Sequence, residues 1–150
     1  MNTIAVDAMG GDSAPIDIVK GAIKAKEQGV DVVLCGDKNL INPYLENNEI
    51  PVFDFPEVIS MDEDPLRAIR NKKNASIVGC MQLLKDKKVQ AVFSAGSTGA
   101  TLISAISILG KHKGVIRPVI ASVLPSLSGN TILLDSGASL DVKPKVLFQY

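Results

Sequence analysis

An α/β fold with a mainly parallel sheet is predicted by three observations. Short, unbroken apolar runs recur along the chain, and amphipathic runs at helical spacing separate them. The apolar runs lack the polar alternation of a half-solvated sheet, so their strands are covered on both faces. Four of them also end in polar exits: Asp7-Ala8-Met9-Gly10-Gly11-Asp12, Gly36-Asp37, Ser94 to Gly99, and Asp135-Ser136-Gly137-Ala138. Ligands of parallel α/β sheets bind beyond the carboxyl ends of the strands, so these exits on one edge would line a polar cleft.

The elements follow in order. Residues 3–7 read as a strand. Residues 15–27 read as a helix with Ile16, Val19 and Ile23 on one face, stopped by Gly29. Residues 30–35 form the next strand, 38–46 a short helix made irregular by Pro43, and 52–55 a short strand. Ile77, Val78, Met81 and Leu84 mark an amphipathic helix with Asn74 or Ser76 as its cap. Strand 89–94 and helix 98–109 follow, then strands 119–124 and 131–135. Pro144 to Tyr150 reads as the first turns of a helix without a stop signal, which predicts either a fragment of a longer protein or a gene product cut short.

Charge and composition narrow the function. Sixteen basic residues balance sixteen acidic ones, against the basic excess of a general nucleic-acid binder. Tryptophan is absent and aromatics are 4%, so stacking surfaces for bases or sugars are few. No apolar run approaches the roughly 18 residues of a membrane span. The start, Met1-Asn2-Thr3-Ile4, is no secretory leader, and Cys35 and Cys80 lie in apolar surroundings. Both features predict a cytoplasmic protein with buried thiols and no metal role for its cysteines.

The segment Ser94-Ala95-Gly96-Ser97-Thr98-Gly99-Ala100 carries the strongest chemistry. A strand, a small-residue loop and a helix start together suit a phosphate. Glycines let the backbone approach an anion, and the helix offers unpaired N–H groups at a positive dipole end. The same residues also suit a plain strand-to-helix turn. Between Asp62 and Ser76 the charge runs from acidic to basic, with Pro65 between. That order suits the dipole of a short exposed helix. It also suits an anion site made from Arg67, Arg70, Lys72 and Lys73. His112, the single histidine, stands between Lys111 and Lys113 at an expected exposed helix end, and no third group by spacing supports a Ser94–His112 pair.

These segments, in this order, resemble the phosphate acyltransferases of bacterial phospholipid synthesis. The matching residues are Ile4 to Asp12, Ala14-Pro15, Gly36-Asp37, Asp64 to Arg70 and Lys72-Lys73-Asn74. They continue with Ser94-Ala95-Gly96, Thr98-Gly99-Ala100, Gly114, Arg117-Pro118, Leu134-Asp135, Gly137-Ala138 and Lys143-Pro144. The chain departs from the family pattern at Ser13 (usually histidine), Ser97 and Ser139 (usually asparagine), Asn71 (arginine), Ala75 (serine) and Ser136 (valine). The resemblance covers about the first half of the family's length, so residues 1–150 are expected to form the N-terminal part of one α/β acyltransferase domain.

The resemblance implies a three-layer α/β fold with a parallel or mixed sheet, similar to isocitrate and isopropylmalate dehydrogenases and incomplete here. It implies transfer of a fatty acyl group from acyl-[acyl-carrier protein] to inorganic phosphate, with no metal or redox cofactor. Phosphate is then the nucleophile, and the site holds it, places it and stabilises the oxyanion. On that basis Gly96, Ser97, Thr98, Gly99 and Lys72 are candidates to bind phosphate. Arg67 and Arg70 are candidates for phosphate or the carrier's phosphopantetheine arm, and Lys73, Asp7 and Asp135 are candidate catalytic groups. Asp12 reads first as a turn residue. The family further implies a homodimer, a glycerol-3-phosphate acyltransferase partner in the membrane, and peripheral membrane contact. Two other readings stay open. One is a phosphate acetyl- or butyryltransferase using acyl-CoA. The other is an inactive remnant or a module that binds an acidic carrier protein through the basic segment.

Overall fold

The computed structural model of the chain describes residues 2–135 and 141–150. Two compact units are present, Met1–Leu109 and Gly110–Tyr150. The first contains β1 (Ile4–Asp7), α1 (Ile16–Glu27), β2 (Val32–Gly36), α2 (Lys38–Leu45) and β3 (Val52–Asp54). It continues with α3 (Pro65–Asn71), α4 (Ser76–Lys85), β4 (Ala91–Ser94) and α5 (Thr98–Ile108). The second contains β5 (Ala121–Ser126), β6 (Gly129–Leu134) and α6 (Pro144–Leu147).

In the first unit the strands form one sheet of order β3-β2-β1-β4, and every pairing is parallel. Successive strand residues serve opposite faces, as the pleat requires. Val6, Val32 and Leu34 join Val19 and Ala22 of α1 and Ile41 of α2 in one cluster. Ala5, Val33 and Cys35 join Cys80 and Leu83 of α4 in another. Helices therefore cover both faces, and the unbroken apolar character of β1 and β2 follows from that burial. Leu34 and Ile41 are fully buried, worth roughly 2–3 kcal/mol each in apolar area removed from water.

Local signals set most of the boundaries. Gly29, at φ +85°, ends the turn after α1. The Asp37 carboxylate accepts from Asn39 N–H (2.8 Å) at the start of α2, which contains Pro43. Asp64 accepts from Arg67 N–H (2.8 Å), with Pro65 in the first turn of α3. The cap of α4 differs from expectation. Ala75 occupies that position and no side chain caps the helix, so neither Asn74 nor Ser76 does the work assigned to it.

Cys35 and Cys80 are buried free thiols in one cluster. Hydrogen bonding to Cys35, followed by burial, pushes the Cys80 thiol well above its ordinary value.

The two later strands depart from the sequence reading. They do not extend the parallel sheet but pair with each other as an antiparallel hairpin, Val123 opposite Ile132 and Ser126 opposite Gly129. Only Leu127 and Ser128 separate them, far short of the dozen residues a parallel crossover needs. Ser128-Gly129-Asn130, with Gly129 at φ +137°, was the available hairpin signal.

Candidate functional site

Three of the four expected strand exits lie on one edge of the parallel sheet. Asp7, Cys35 and Ser94 are in register at the ends of β1, β2 and β4. The fourth, Asp135, follows β6 in the second unit and so is not an exit of this sheet. Its carboxylate accepts from the Tyr150 hydroxyl at 3.1 Å. Ser136, Gly137, Ala138 and Ser139, singled out with it, lie outside the described residues.

The site is built where the loops after β1 and β4 meet. Asp7 is 3% exposed, and neutral donors meet both of its oxygens. Met9 N–H donates to Oδ1 (3.3 Å) and the Ser94 hydroxyl donates to Oδ2 (2.7 Å). The Ser94 oxygen in turn accepts from Gly96 N–H at 3.1 Å. One chain of bonds thus runs from the end of β1 to the first glycine of the serine-glycine loop. It fixes that loop rather than leaving it a free turn.

Glycine is required at this junction by contact. A Cβ on Gly10 would lie 2.5 Å from Asp7 Oδ2 and 2.9 Å from the Gly96 nitrogen. A Cβ on Gly96 would lie 3.1 Å from the Gly10 Cα. The two backbones touch, and no side chain fits between them.

From that junction the chain enters α5. Ser97 is the cap, its hydroxyl accepting from Ala100 N–H at 3.3 Å, so Ser97 spends its oxygen on the helix. Gly99 faces α3, where a Cβ would come 2.8 Å from Pro65 Cγ. The N-terminus of the basic helix therefore packs directly beside the start of α5.

The basic residues divide into two kinds. Lys72 Nζ donates to Glu63 Oε1 (2.5 Å) and to the Val58 carbonyl (2.6 Å). That bond, more than Coulomb attraction, holds the Glu63 carboxyl below its ordinary value. Lys73 Nζ donates to the Ile69 carbonyl of α3 (3.1 Å). Arg67 and Arg70 are exposed, and their guanidinium groups have no partner among the described residues. His112 is exposed, as the sequence suggested, and it belongs to the second unit.

Around Asp7 lies a small, partly open cavity. Met9, Gly10, Ser76, Ile77, Ser94 and Ser97 are among its lining residues, and its ≈ 10 Å³ is about the space one water occupies. Sequence reasoning named Asp7 and the loop but missed Ser76 as a lining group. The only available signal was its hydroxyl at a helix start.

A family model described as "Fatty acid synthesis protein" matches residues 2–150. The chain belongs to that family. Among its curated relatives are proteins named phosphate acyltransferase. The one from Desulforamulus reducens is 48% identical over 155 residues, covering 100% of this chain and 46% of the relative. That from Gloeothece citriformis is 49% identical over 154 residues, covering 98% and 44%. That from Oceanobacillus iheyensis is 44% identical over 150 residues, covering 98% and 45%. The chain thus spans about half the length of the relatives it matches. Among the described residues no helix is long and apolar enough to cross a membrane, and no group of three or more His, Cys, Asp or Glu could hold a metal ion.

Proposed function

We propose that this fatty acid synthesis family chain supplies the phosphate-holding half of an acyltransferase. The enzyme it belongs to moves a fatty acyl group reversibly from acyl-[acyl-carrier protein] to inorganic phosphate. The observation that carries this reading is the anchored loop, Ser94 bonded between Asp7 and Gly96, opening an 11-residue helix. Such a helix start offers backbone donors and a positive dipole end to an oxoanion.

A phosphate oxygen attacks the thioester carbonyl, forming the C–O bond. The tetrahedral intermediate collapses as the C–S bond breaks, giving acyl phosphate and the carrier thiolate, which takes up the proton lost by phosphate. Gly96, Ser97, Thr98 and Gly99 hold the phosphate. Lys73 lies close along the chain to α3 and supplies positive charge to the phosphate. Lys72 reaches it only by leaving Glu63. Arg67 and Arg70, exposed on a helix packed against the loop, suit the phosphate of the carrier's arm. Asp7 anchors the loop through Ser94. The phosphate site proposed here is built from the first unit alone.

The wider reading includes a homodimer, a dehydrogenase-like fold in the full-length protein, a cytoplasmic location with contact at the membrane surface, and hand-over of acyl phosphate to a membrane glycerol-3-phosphate acyltransferase. The deciding assay is acyl phosphate formation from acyl-[acyl-carrier protein] and phosphate. The 150-residue chain is tested alone and grafted onto the C-terminal part of the Desulforamulus reducens relative. Activity in the graft, cut at least tenfold by Thr98→Ala and Lys73→Ala, supports the assignment. A folded graft with full activity in both variants sinks it.

A further inference from the structure

The cavity beside Asp7 contains a mismatch of hydrogen-bonding groups that identifies what enters it. Ser76 is 3% exposed and lines the cavity, yet its hydroxyl has no partner among the described residues. A buried hydroxyl without a partner is costly, so the group it faces should accept from it. Asp7 lines the same space. Each of its oxygens accepts one bond and keeps a further lone pair. Two helices of ten and eleven residues also begin there, with Ser76 and Ile77 from α4 and Ala100 and Thr101 from α5 among the lining residues. Their positive ends favour an anion. Asp7 alone would repel one.

These demands are met together by an oxoanion that still carries a hydrogen. Its P–O–H oxygen is about the size of the water-sized space. It donates to Asp7 and accepts from Ser76, while the rest of the ion rests on the loop 96–99 outside. We infer that Asp7 and Ser76 form a selectivity site that admits hydrogen-bearing oxoanions, phosphate and arsenate, and rejects sulfate, which has no hydrogen to give at neutral pH. The inference rests on the phosphate reading above and adds to it a filter and a residue, Ser76.

The test is calorimetric titration of the 150-residue chain with sodium phosphate, sodium arsenate and sodium sulfate, at one neutral pH and matched ionic strength. Phosphate and arsenate should bind at least about 100-fold more tightly than sulfate, because sulfate leaves a buried acceptor facing a bare anion. Ser76→Ala should weaken phosphate about tenfold, the loss of one hydrogen bond to a charged group. Asp7→Asn should admit sulfate to within a few-fold of phosphate. Asp7→Asn also alters the Ser94 bond, so Ser76→Ala tests the site separately. Equal binding of phosphate and sulfate by the unaltered chain overturns the filter and leaves the loop's phosphate role standing. Undiminished phosphate affinity in Ser76→Ala overturns the role of Ser76. Absence of phosphate binding overturns the filter and the phosphate reading together.

Discussion

The two units use similar apolar strands to opposite effect. In the first, β1 and β2 disappear between helices, and Ala5, Leu34 and Cys35 are fully buried. In the second, Val123, Ile132 and Leu133 stay exposed, and Leu127 at the hairpin tip is fully exposed. The strands of the second unit are less apolar, with Ser122, Ser126, Asn130 and Thr131 among them, yet each still carries a run of large apolar residues. The difference lies in what the chain places next to them. Each parallel strand is tied to its neighbour by a crossover whose helix covers the sheet, whereas a two-residue turn brings no cover at all. A lone two-stranded hairpin is marginal in water, so the stability of the described chain resides in the first unit.

Three substitutions or conditions test that contrast, beginning with the largest effect. Gly10→Ala drives a Cβ into Asp7, Gly96 and Ser94 at once, against backbone as well as side chain. It should cost about 3 kcal/mol, read as a lower urea midpoint, and abolish phosphate binding. An unchanged midpoint would mean that the two loops are not in contact in solution.

Acid is the second. The Glu63 carboxyl lies below its ordinary 4.5 because Lys72 bonds to it. A lowered carboxyl contributes stability that is present above the ordinary value and lost as pH falls through the lowered one. The urea midpoint of the first unit should therefore fall as pH drops below the ordinary 4.5, and the fall should be shallower in Lys72→Met. The pair is partly exposed, so the difference is small and shrinks in high salt. Identical acid profiles would show that the bond is not formed in solution.

The smallest effect belongs to the second unit. Leu127→Ser should shift the midpoint by no more than about 0.5 kcal/mol, since the side chain touches little that unfolding exposes. A drop of several times that size would show that the hairpin tip is covered in solution.

Much of the first unit was legible in the sequence. The 3.6-residue spacing of Val19 and Ile23, the stop at Gly29, and the Asp64-Pro65 start of α3 are local signals, and local structure obeyed them. The hairpin was misplaced because short apolar runs look alike in parallel and antiparallel sheets. The turn between them, not the strands, carried the information. The candidate site was half legible. Composition and spacing pointed to Asp7 and to the loop 94–100, each at the end of a strand. The bond that joins them was not legible, because 87 residues separate Asp7 from Ser94 and only the register of β1 with β4 brings them together. Lys72 read as an anion ligand for a related reason: nothing local showed that Glu63, nine residues earlier, would take its amine.

That separation of 87 residues also sets a timetable. As the chain leaves the ribosome, β1 is made first and β2 can pair with it early, but β1 keeps an empty flank until β4 arrives. The closure is long-range and pays its loop entropy late. Until Ser94 has emerged and docked, Asp7 is a carboxylate with no partner for Oδ2, and the loop that follows Ser94 has no anchor. On the phosphate site proposed above, anion affinity is expected in a nascent chain only after β4, and a chain stopped before residue 94 should show none.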